Sequence, residues 1–115
     1  MNKRALKLAT LLGIVLQVAM VVVGHSNPSV KNLFAVGGMG FSLIAGVIYG
    51  VKAGGGTVGS LALGGAVAGG ICAFVGIFVS HLLGDVPPSL LLLGTVSSVV
   101  TGAIGGAVAK FAARA

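Results

Sequence analysis

The chain has 115 residues, 57 % of them hydrophobic and 7 % charged, with a mean hydropathy of +1.17. Soluble domains carry about a quarter charged residues, so the composition excludes an ordinary soluble enzyme and defines one small integral membrane domain. The net charge of +6 rests on seven bases against one acid, Asp85. These bases stand singly at the ends of apolar runs, without a basic aromatic patch, which favours lipid headgroups over nucleic acid as their partner.

The opening MNKRALKLATLLGIVLQVAMVVVGHS has the basic start and apolar middle of a signal peptide. It lacks an Ala-x-Ala site and no soluble mature domain follows it, so it is expected to stay as a first span over about 5–24. Its apolar residues are bulky and suit lipid. Gln17 is the exception, an amide that needs a partner on a neighbouring helix. The segment 25–32 reads as a polar turn broken by Pro28. A second span covers about 33–52 and ends on Tyr49 and Lys52, with Tyr49 suited to a membrane interface. Ala53 to Thr57 is a glycine-rich turn.

The run from Ala53 to Gly84 holds no Lys, Arg, Asp or Glu and is dense in glycine. It contains the third span, about 57–83, longer than a bilayer needs and therefore expected to tilt, kink or protrude. Asp85, Pro87 and Pro88 close it, and the prolines can begin a fourth span, about 86–109, because the first turn of a helix needs no N–H there. The fold class is then all-α, four transmembrane helices forming two in–out–in hairpins.

With the N-terminus inside, one side holds Lys3, Arg4, Lys7, Lys52, Lys110 and Arg114, while Lys31 stands alone opposite. The positive-inside rule therefore places both termini in the cytoplasm of a cell inner (plasma) membrane. Shifted by fifty-six residues, the chain also lies on itself without gaps. Gly13, His25, Gly38, Ser42, Gly46 and Gly50 meet Gly69, His81, Gly94, Ser98, Gly102 and Gly106. Residues 1–56 and 57–112 would be parallel copies of one hairpin, against a chance background raised by so much Gly, Ala, Val and Leu.

Small residues recur at four-residue spacing, in the manner of a GxxxG motif or glycine zipper. The rows are Gly38, Ser42, Gly46 and Gly50 in the second span, and Gly94, Ser98, Gly102 and Gly106 in the fourth. The third span carries Ala62, Ala66 and Gly70, and also Ala68, Cys72, Gly76 and Ser80. Such rows let backbones approach closely, within one subunit or between subunits of a homo-oligomer. Gln17, Ser42, Thr95, Ser97, Ser98 and Thr101 form a polar strip that either lines a permeation path or bonds to helix carbonyls. His25, His81 and Asp85 fall at one end, as a proton or metal site or simply as headgroup contacts. Cys72 is alone and reads as a small hydrophobe.

No charged residue lies mid-span, and there is no nucleophile–base pair, phosphate loop, metal motif or cofactor motif. An enzyme is not expected. The size and span count are similar to those of small multidrug exporters, but where their first helix carries an essential carboxylate this region offers only Gln17. The phenylalanine-and-threonine signature of four-helix fluoride channels is missing. Phage holins are similar only in size, basic ends and glycine content. The expected function is a self-associating, channel-like or holin-like permeation assembly. Its alternatives are an accessory subunit of a larger membrane complex and a proton- or metal-linked transporter.

Overall fold

Long apolar segments must pair every backbone N–H and C=O internally, which a helix does without a partner. The computed structural model, which describes residues 2–112, is all-helical with no strand among those residues: α1 Lys3–Ser26, α2 Pro28–Lys31, α3 Phe34–Ala53, α4 Val58–Leu82 and α5 Pro88–Ala112. Four of these, α1, α3, α4 and α5, are long and apolar enough to cross a membrane, and they make the chain a multi-pass membrane protein. Arg114, counted above among the cytoplasmic bases, lies outside the described residues.

Local chemistry sets the helix ends. Asn2 caps α1 by accepting from the Ala5 N–H at 3.0 Å. The stretch 25–32, expected as a plain turn, contains the one-turn helix α2. Asn27 Oδ1 accepts from Ser29 N–H at 3.0 Å and Val30 N–H at 3.4 Å, and Pro28 follows at the first helical position. Gly54 ends α3 at φ +75°, a left-handed conformation that a Cβ disfavours. Thr57 Oγ1 then caps α4 by accepting from Ser60 N–H at 3.1 Å. Pro87 offers its carbonyl to Leu90 N–H at 3.1 Å, and α5 starts on Pro88.

The domain measures 41 × 22 × 20 Å. Both α3 and α4 pack against all three other spans, with α4 the most buried of the four, whereas α1 and α5 make no comparable contact. α1 buries a narrow strip, Ala5, Ala9, Gly13, Gln17, Val21 and Gly24, and leaves Leu11, Val15 and Val22 exposed. Gly64, Gly65, Ala68, Gly69, Gly70, Cys72 and Gly76 of α4 are all buried. The exposed side of α4 is bulky instead, carrying Leu63, Ile71 and Leu82 as well as Phe74 and Phe78, whose stacked rings lie 6.1 Å apart.

Three backbones meet at the end that holds the termini. A Cβ on Gly46 would strike the Gly102 carbonyl, one on Gly102 the Gly65 carbonyl, and one on Gly106 the Leu61 carbonyl. Close approach of this kind replaces side-chain packing with dispersion and Cα–H···O contacts. Tyr49 is 2 % exposed, with its ring laid over Gly64. Only its hydroxyl reaches the helix end, where it accepts from Asn2 N–H at 3.2 Å. Glycine at position 64 leaves room for the ring, and that decides the placement.

At the opposite end, beside α2, the partners change. Gly37 and Gly38 of α3 lie against Met20 and Gln17 of α1, while Gly94 and Val99 of α5 lie against Ile77 and Gly70 of α4. α3 and α5 thus cross tightly near the termini and part towards α2.

Candidate functional site

The parting of α3 and α5 leaves a cavity of about 140 Å³ backed by α1 and α4. Met20, Phe34, Met39, Ile77, Leu90 and Leu93 make most of its wall. Gln17, Ser80, Ser97 and Ser98 are the polar residues of its lining, and no charged residue lines it. Ser80 is 1 % exposed and its hydroxyl has no hydrogen-bond partner among the described residues. Burial without a bond costs about 1–3 kcal/mol for such a group.

The floor is a polar knot tying α1, α3 and α4. Gln17 Nε2 donates to the Gly38 carbonyl at 2.9 Å and to Ser42 Oγ at 3.3 Å, with Cys72 Sγ at 3.8 Å. Ser42 Oγ and Cys72 Sγ both donate to the Gly69 carbonyl, at 3.2 and 3.3 Å. Glycines make the knot fit: a Cβ on Gly76 would stand 2.7 Å from Gln17 Cβ, and one on Gly13 2.9 Å from Cys72. Below the knot lies the glycine crossing, so the cavity ends blind within one subunit.

The polar strip expected from the sequence is therefore divided. Gln17, Ser97 and Ser98 reach the cavity, and Ser42 holds the floor from behind. Thr95 and Thr101 do not line it; Thr101 Oγ1 donates back to the Ser98 carbonyl at 3.2 Å. Ser97 Oγ likewise donates to Leu93 at 2.8 Å, the ordinary habit of helical hydroxyls. Of the packing rows, Ser42, Gly46, Gly50, Gly70, Gly76, Ser98, Gly102 and Gly106 are buried. Gly38 and Gly94 are partly buried against α1 and α4, while Ala62 and Ala66 are also only partly buried. Ser80 was legible only as the last small residue of a row, and its placement in a cavity left no mark in the sequence.

The histidines separate. His25 Nδ1 stands 2.9 Å from Asp85 Oδ2 and joins the end of α1 to the α4–α5 turn. His81 Nδ1 faces the Val86 carbonyl at 3.0 Å. No group of three His, Cys, Asp or Glu residues among those described is placed to hold a metal ion. At the other end Lys110 Nζ donates to the Gly56 carbonyl and ties α5 to the α3–α4 turn.

No protein-family model, characterised protein or solved structure matches the chain.

Proposed function

We propose that the protein is a small, self-associating permeation protein of the inner (plasma) membrane, channel-like or holin-like, with both termini cytoplasmic. One observation carries this reading: a cavity with amide and hydroxyl groups in an apolar wall, sunk between the spans and floored by a hydrogen-bonded knot rather than by packed side chains. A solute path needs polar groups along it and a closure that can rearrange. Six of seven bases at one end of the spans support the orientation.

The internal duplication belongs to the same proposal. Equivalent residues Gly46 and Gly102 meet across α3 and α5, as do Gly50 and Gly106, which suits a pseudo-two-fold axis along the membrane normal. The α3–α4 contact has no counterpart of its size between α1 and α5, so the two halves have diverged in packing.

The test is flux from sealed liposomes holding a fluorescent dye and a potassium gradient. Purified protein should release the dye or collapse the diffusion potential in a dose-dependent way. Intact vesicles at high protein density would end the permeation reading. The blind floor favours the second reading, a non-catalytic accessory subunit. Mild-detergent purification with crosslinking would then recover a larger complex, and a monodisperse homo-oligomer without a partner would sink it.

A further inference from the structure

Charge alone favours lipid headgroups as partners for the bases, and the fold separates those it uses from those it leaves outward. At the end holding the termini the described bases are Lys3, Arg4 and Lys7 of α1, Lys52 of α3 and Lys110 of α5. The chain's one acidic side chain, Asp85, lies at the opposite end in the α4–α5 turn. Lys52 and Lys110 stand in the last turns of their helices, where the helix dipole favours a cation, and Lys110 Nζ also donates to the Gly56 carbonyl. Lys3 and Arg4 stand in the first turn of α1, where the same dipole opposes a cation. With Lys7 one turn further on, all three are exposed and have no hydrogen bond or ion pair among the described residues. Nothing within the fold offsets them.

Asn2 fixes their position. Its N–H donates to the Tyr49 hydroxyl at 3.2 Å and its Nδ2 to the Ala53 carbonyl at 3.5 Å, so the start of α1 is tied to the end of α3 beside Lys52. Buried Ala5 and Ala9 dock the same turns against the bundle. Further along α1, Lys7, Leu11 and Val15 recur every four residues and therefore share one face, and Leu11 and Val15 are 52 % and 63 % exposed. Cations above bulky apolar surface match the two parts of a phospholipid, whereas a soluble anion or an acidic protein segment would leave the apolar part unused. We infer that Lys3, Arg4 and Lys7 form a binding surface for the headgroups of anionic phospholipids, whose acyl chains lie along Leu11 and Val15. The phosphodiester supplies the missing counter-charge, and the Arg4 guanidinium can hold two of its oxygens at once. Only the membrane location of the chain is needed for this, not permeation.

The experiment uses the full chain in phosphatidylcholine nanodiscs, with phosphatidylglycerol or phosphatidylcholine spin-labelled near the chain end as the probe. Electron spin resonance separates label held at the protein surface from free lipid. Phosphatidylglycerol should be held roughly fivefold more strongly, the worth of one base near an anionic headgroup, and the preference should shrink at high salt. Lys3→Gln, Arg4→Gln and Lys7→Gln together should bring it to within about twofold. Lys110→Gln alone should leave it unchanged, because that ammonium already serves the Gly56 carbonyl. Circular dichroism and size exclusion establish that each variant is folded. Equal retention of the two lipids by the unaltered chain would overturn the surface. A preference that survives the triple replacement would overturn its assignment to these bases. Inorganic phosphate, compared with sodium chloride at equal ionic strength, should not displace the label, and displacement would mean a free-anion site instead. No gradient is imposed, so lipid preference without flux retires permeation alone, and flux without preference retires this surface alone.

Discussion

Gln17 shows how much one residue reveals and where it stops. An amide in the middle of an apolar span must find hydrogen bonds, and the chain supplies them from Gly38, Ser42 and Cys72. Replacing it with Leu removes the amide but leaves Ser42 bonded to the Gly69 carbonyl. Gln17→Leu should therefore destabilise the bundle by about 1–2 kcal/mol without unfolding it, read as a shift in the unfolding midpoint in mixed detergent micelles. A loss indistinguishable from zero would mean that the knot contributes nothing. The His25–Asp85 pair is different: the histidine side chain is 49 % exposed, the aspartate's 8 %. Water reaches the pair from the histidine side, and His25→Asn should cost less than about 1 kcal/mol, with a smaller effect at high salt. That Gln17 needs partners was legible in the sequence. Which carbonyl and which hydroxyl serve it was not, since residues from three helices converge there.

At the scale of the element, small-residue rows were legible as close-packing faces, but not every glycine is used alike. A Cβ on Gly46 would enter the Gly102 carbonyl, whereas one on Gly40 would meet nothing within 4 Å. Gly46→Ala should force α3 and α5 apart and destabilise the fold by several times the effect of an ordinary substitution, on the order of 3 kcal/mol. Gly40→Ala should be neutral or stabilising by about 0.5–1 kcal/mol, because alanine loses less backbone entropy in a helix. Thermal unfolding in a mild detergent compares the two, and equal losses would show that the crossing is looser than these contacts require. The glycine wealth of α4 left open in the sequence whether it serves one subunit or contacts between subunits. In the fold, α1, α3 and α5 take up most of its small residues and leave α4 a bulky outer stripe. Self-association would then use exposed apolar surface or the free sides of other helices. Sequence spacing names a face but carries no information about how many neighbours compete for it.

For the whole molecule, the bias of basic residues sets the expected orientation. With Cys72→Ala as background, a membrane-impermeant maleimide applied to intact cells should label Ser26→Cys and spare Gly55→Cys. Both parent residues are exposed, at opposite ends of the spans. The reverse pattern would overturn the cytoplasmic placement of the termini, and labelling of both would point to dual topology.

Four helices long and apolar enough to span a membrane follow from the sequence alone. Apolar length and the need to pair the backbone leave no other solution, and Gly54, Thr57 and Pro88 fix where helices stop and start. The short helix α2 was hidden because Asn27 and Pro28 signal a break as readily as a cap. Only the tertiary structure decided that Tyr49 is buried, and that α3 and α5 cross near the termini and part near α2. In a chain apolar on every side, no polar face distinguishes inside from outside. The choice falls to backbone fit among three helices at once, and the cavity is what that fit leaves open where α3 and α5 part.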